Sequence, residues 1–189
     1  MKRHRLSNVI GFDDAPFGRD DRGKVKIVGA VYANLRFDGV LIGEVEKDGD
    51  DAAMALAALV NQSRFAEHAQ LIMLQGITMA GFNVVDVFAL HKALELPILV
   101  VARRQPDLKS IQYALNTHIQ NGKDKWNLIK TLGPMEQAGS VSVQRVGLDL
   151  DHAVEIVEHF SVHSHIPEPL RTAHLIAGAL VNGQSRGNP

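Results

Sequence analysis

The 189-residue chain contains no cysteine. That excludes disulfides, zinc thiolate centres and a cysteine nucleophile. It fits an intracellular protein. No charge of one sign dominates either: 20 Lys and Arg stand against 21 Asp and Glu, a formal net charge of −1. A protein that holds nucleic acid by its phosphates alone carries a strong basic excess. Here such a surface could exist only as a local patch. No apolar run reaches the roughly 18 residues of a membrane span. The apolar stretch after the basic start "MKRHRLSN" is too short for a signal-peptide core. The expectation is a soluble, cytoplasmic protein with one domain over residues 1–189. What the chain does have is apolar content, 46%, enough for a sizeable core.

Residue patterns then order the chain. Val9 to Phe12 is a short apolar strand ending at Asp13-Asp14 and Pro16. "VKIVGAVYANLRF" at 25–37 is a long strand rich in Val, Ile and Tyr. Asp38-Gly39 predicts a hairpin turn, and 40–49 the return strand. The period changes at 50–65, a helix with Asp50 or Asp51 as N-cap. Strands follow at 71–74, 96–103 and 140–147. Helices are predicted at 84–95, 106–119, 124–132, 150–160 and 167–181, before a polar tail. The helix at 106–119 carries Ile111, Ala114, Leu115 and His118 on one face. Antiparallel strands followed by alternating strands and helices describe a mixed sheet with helices on both faces. The ribonuclease H-like architecture has this order, as do other three-layer α/β folds.

Several clusters could carry chemistry. Asp13-Asp14 closes the first strand, where open α/β sheets bind ligands; it could equally be a turn cap before Pro16. "KDGDDA" offers Asp48, Asp50 and Asp51 as oxygen ligands without EF-hand spacing, or as a turn and N-cap. "LIMLQGITMAGFN" at 71–83 opens a strand into a loop with Gly76 and Gly81, followed by Asn83 and Asp86. Neither G-x-G-x-x-G nor a Walker loop is present, so nothing supports a nucleotide site. Glu168, Arg171 and His174 recur along one stripe of the last helix, as a phosphate-processing site or as an intrahelical ion pair. "HSH" at 163–165 has strand spacing for two metal ligands but no accompanying zinc signature. A serine-hydrolase elbow is also missing.

"GFDDAPF", "FDGVL", "LQGITMAGFNVVD" and "IPEPLRTAHLIAGALV" carry a likeness that runs nearly end to end. They resemble the uncharacterised archaeal family catalogued as domain of unknown function ninety-nine, which is similar to endonuclease V in fold and strand order. The resemblance implies a ribonuclease H-like three-layer α/β fold with a mixed five-stranded sheet. It implies magnesium or manganese held by carboxylates, and hydrolysis of a phosphodiester in nucleic acid near a deaminated base. Carried over by position, Asp13 matches the first-strand aspartate, a catalytic residue and metal ligand. Asp51 matches the acidic residue ahead of the first helix, as a metal ligand. Gln75 falls where the resemblance expects a catalytic aspartate. His174 or Glu168 matches the late catalytic region, with Glu168 as a third metal ligand. Asp14, Gly76, Asn83, Asp86 and Arg171 are left as crevice or substrate-binding residues.

An amide can give magnesium an oxygen but no charge. Three readings follow: a metal-dependent nuclease, a nucleic-acid-binding module of the same fold without catalysis, and a small-molecule or protein-interaction domain in the same crevice.

Overall fold

A computed structural model of the protein describes residues 6–185. The first residues of the basic start and the end of the polar tail lie outside the described residues. The centre is a seven-stranded sheet in the order β3-β2-β1-β4-β7-β9-β8. Its strands are β1 (Asn8–Asp14), β2 (Lys24–Ala33), β3 (Arg36–Glu46), β4 (Leu71–Gln75), β7 (Ile98–Ala102), β8 (Glu136–Ala138) and β9 (Val141–Val146). A two-stranded ribbon, β5 (Thr78–Met79) and β6 (Asn83–Val84), hangs from the end of β4. β1, β4 and β7 are parallel; β2, β3, β9 and β8 extend the sheet antiparallel on its two sides.

The five strands implied by the resemblance are corrected to seven: the strand expected at 140–147 is β9, and β8 is the strand no pattern announced. The short β8, Glu-Gln-Ala, has too little alternation to announce a strand. β4 and β7 read as continuous apolar runs because helices cover both faces. On one face α5 (Leu150–Phe160) and α6 (Glu168–Asn182) bury Val9, Met73, Val101 and Val143. On the other, α1 (Ala52–Asn61) and α2 (Val87–Leu94) bury Ile10, Phe12, Leu74 and Val100. Beyond the strand ends, α3 (Leu108–His118) and α4 (Gly122–Leu132) pack a small core of Val84, Leu115 and Ile129. His118 lies outside it, exposed.

Other expectations shift for local reasons. The β2–β3 hairpin turns at Asn34-Leu35, not Asp38-Gly39. Asn34 supplies the left-handed backbone, φ 52°. Asp38 instead sits in a bulge, and Gly39 is needed because a Cβ there would lie 2.5 Å from the Phe65 ring. α2 starts only at Val87, since Asn83-Val84 join the ribbon. Residues 162–166 are bends, so "HSH" has no strand spacing.

Candidate active site

The C-terminal ends of β1, β4 and β7 lie side by side. Phe12 stands opposite Leu74, so the next positions across these strands are Asp13 and Gln75. Alternation puts both on the face that α6 covers. α6 rests directly on the β1 backbone: a Cβ at Gly11 would lie 2.5 Å from the Pro169 carbonyl carbon. That contact brings His174, one and a half turns further on, to the end of β1. Asp13 is 6% exposed, and its Oδ2 lies 2.8 Å from His174 Nδ1. An ionised carboxylate only accepts, so Nδ1 is the donor. This hydrogen bond raises the His174 pKa, helped by the charges of Asp13 and Asp14, against burial and the positive charge of Arg103. The imidazolium share at neutral pH grows accordingly.

Asp14 points the other way along the strand. Its Oδ2 accepts from the Ala80 amide at 2.8 Å, tying β1 to the ribbon turn. Burial pushes its pKa up to about 6, and the charge of Asp13 adds to this. Gln75 is the anomaly of the site. Its Oε1 is buried and has no hydrogen-bond partner. A buried oxygen in that state costs roughly 1–3 kcal/mol and stands open to a donor or a cation. Gly76, next in chain, takes φ 80° and donates to the Val101 carbonyl, turning the chain out of the sheet.

The remaining expected residues are held elsewhere. Asp51 accepts from the Glu46 amide and from Asn83 Nδ2; it occupies the α1 N-cap position without capping. Asn83 is fully buried and spends its side chain on Ala52, Glu46 and Asp51. Asp86 caps α2 through the Ala89 amide. Glu168 is buried at the start of α6, where Arg171 and His163 donate to it. Burial alone would raise its pKa, but those donors outweigh it and hold the carboxyl below its ordinary value. The structure thus brings together Asp13, Gln75 and His174, with Asp14 and Gly76 adjoining. It does not bring Asp51, Glu168, Arg171, Asn83 or Asp86 into contact with them.

The "KDGDDA" loop has its own cation. Lys125 is 3% exposed; its ammonium donates to the carbonyls of Asp48, Gly49 and Phe82 and pairs with Asp50 at 3.1 Å. Sequence reasoning missed this lysine. The signal was present, because Gly122, Lys125 and Ile129 fall on one helical stripe, and that stripe is the buried one.

A cavity of about 520 Å³ adjoins the site beyond Gly76. Phe82, Trp126, Ile129 and Met135 form apolar walls, and Gln144 and Lys130 add polar groups. Gly76 and Ala102 also line it, while their neighbours Gln75 and Arg103 belong to the Asp13 side. Arg103, Arg104, Lys109 and Lys130 are exposed nearby, a local concentration of cations in a chain of net charge −1.

Oxygen donors of this kind suit a hard divalent cation, which takes one or two carboxylates and completes its shell with water and phosphate. Asp13 supplies the charge and the unpartnered Gln75 Oε1 a second oxygen, so the pair fits such an ion. Among the described residues no three His, Asp or Glu side chains converge into a closed cage.

The fold places the chain among α/β proteins with the endonuclease V arrangement of sheet and helices. Bacillus subtilis endonuclease V superposes with a TM-score of 0.61 at 12% identity, over 94% of this chain and 82% of that one. Ciona intestinalis endonuclease V, solved with DNA containing an inosine, gives 0.59 at 12% identity, over 89% and 83%. At such identity the likeness is one of fold. A family profile described as Endonuclease dU matches residues 5–181, and the chain belongs to that family. A UPF0215 protein of Deinococcus radiodurans is 51% identical over 97% of this chain and 93% of its own length. One from Methanothermobacter thermautotrophicus is 40% identical over 95% and 90%. An Archaeoglobus fulgidus protein superposes with a TM-score of 0.86 at 31% identity, over 93% and 99%. The Deinococcus relative corrects the expectation of an archaeal family: it includes bacteria.

Proposed function

We propose that this protein is a metal-dependent endonuclease that cuts DNA beside a deaminated base, deoxyuridine foremost. The observation that carries the reading is the Asp13–His174 pair next to a buried Gln75 oxygen that lacks a partner. The family description and the endonuclease V-like fold support it. Asp13 and Gln75 Oε1 would hold the divalent ion. When bound, that ion supplies Lewis-acid activation of water and neutralises charge at the phosphate. His174 spends its Nδ1 proton on Asp13 and keeps Nε2 for the scissile phosphate, where it can give a proton to the leaving oxygen. Arg103 is placed to attract the phosphate near His174. The adjoining cavity takes the target base out of the stack, against Phe82 and Trp126.

The test is cleavage of end-labelled strands and duplexes carrying deoxyuridine, deoxyinosine or neither, with magnesium or manganese. Cutting is expected at the deaminated base, with at least a hundredfold loss in Asp13→Asn. A folded wild type that cuts nothing across the panel refutes the proposal.

One observation favours a second reading. A neutral amide stands at position 75, and the carboxylate that the neighbouring strand end sets beside it is Asp13. A binding module that kept the cavity and lost the chemistry would show salt-sensitive binding to such DNA without turnover.

A further inference from the structure

Gln144 lies in β9 opposite Val100, and its side chain is buried among the cavity walls at 6% exposure. Its Nε2 donates to the Gly133 carbonyl. A carbonyl can only accept, so this bond fixes which end of the amide is nitrogen. The oxygen is left over. No donor among the described residues engages Gln144 Oε1, and it is not among the fully buried atoms that lack a partner, so it stays accessible. Thr78 and Gln105 also line the cavity, but Gln144 is the buried side chain there whose acceptor is oriented by its own hydrogen bond, in an otherwise largely apolar lining.

Deamination changes two neighbouring groups on a base: the exocyclic amino donor becomes a carbonyl, and the ring nitrogen gains a hydrogen, which an acceptor set against that nitrogen detects. Cytosine carries an acceptor nitrogen at N3; uracil carries N3–H. Adenine carries an acceptor at N1; hypoxanthine carries N1–H. Resting on the reading of the cavity as a base site, we propose that Gln144 is its specificity-determining residue. Its Oε1 accepts the ring N–H that a deaminated base has and its parent lacks. A parent base would set lone pair against lone pair in a buried position, where unpaired polar groups discriminate most strongly. Thymine also carries N3–H, so Gln144 does not separate uracil from thymine.

Trp126, the only tryptophan, lines the same cavity and reports occupancy without any need for turnover. Single strands differing only in one central base, dU, dC or dT, are titrated against its fluorescence without added metal. The same is done for Gln144→Leu and the near-isosteric Gln144→Met, each checked by thermal unfolding. Wild type should prefer dU to dC. Either folded variant should lower that preference at least tenfold and leave the dU-to-dT ratio within about twofold. Variants that keep the dU-to-dC preference, or weaken all bases equally, overturn the role of Gln144 alone. If no strand perturbs Trp126 in the wild type, the base-site reading beneath it falls too.

Discussion

Gln75→Asp puts a carboxylate where the strand register sets it beside Asp13. Neighbouring strands lie about 4.8 Å apart. Two charges at about 5 Å in an effective dielectric near 20 repel by about 3 kcal/mol. Asp14 already shows the direction, since burial and then the charge of Asp13 push it up to about 6. Without metal the variant should therefore unfold about 6–12 °C below wild type near pH 8, the shift such a loss produces in a chain of this size. A divalent ion reverses the sign, because it now faces two carboxylates in place of one and an amide oxygen. Manganese should bind the variant at least tenfold more tightly, about 1.4 kcal/mol. It should also restore most of the lost melting temperature. Thermal unfolding with and without manganese, and calorimetric titration, measure both. Equal manganese affinity in wild type and variant would refute the assignment of Gln75 to an ion site. If cleavage also rises, the native amide is a weakened form of an acidic site.

Two further outcomes follow from the same geometry. The raised Asp14 pKa means that its proton favours the folded state: that contribution is complete below the unfolded value of 3.8 and lost as pH rises through about 6. Asp14→Asn can keep an acceptor for Ala80, so it should stabilise the protein at pH 7–8 and leave it unchanged near pH 3.5, as urea denaturation would show; an equal effect at both pH values would contradict the burial of that charge. Lys125→Met leaves the carbonyls of Asp48, Gly49 and Phe82 without their donor and should cost about 3–5 kcal/mol; a loss below about 1 kcal/mol in denaturant unfolding would mean that the ammonium is not what joins α4 to the acidic loop.

Much of the architecture was legible because burial on two faces leaves a plain mark. Leu71–Leu74 and Ile98–Val101 are apolar without alternation, and both are central strands. The helix at 150–160 has its N-cap Asp149 and a strong apolar stripe, and its bounds came out as read. The hairpin turn did not, because Asp-Gly is equally suited to a bulge, and only the contact with Phe65 decides between them. The site was half legible. Asp13 and Gln75 sit at strand ends, where local pattern points. Their meeting with His174 depends on how α6 lies across β1, a contact 161 residues apart in sequence. The grouping with Asp51 and Glu168 joined acids by kind and order, whereas their partners, Asn83 and Arg171, hold each in its own corner. Gln144 looked like any polar residue in a strand until its hydrogen-bond partner, the Gly133 carbonyl, was known.

Lys125 divides the protein's demand for positive charge into two kinds. The loop beside the cavity has a cation built into the chain, so it is filled at synthesis and cannot be washed out. The strand-end pair of Asp13 and Gln75 has only the titratable His174 imidazole beside it and, on the proposed function, takes its metal from solution. A chelator would then disarm the chemistry while leaving the Phe82 wall of the cavity standing. Under the proposed function, recognition of a damaged base and cutting beside it are separable by ion supply alone, with the protein held on the lesion until its metal arrives.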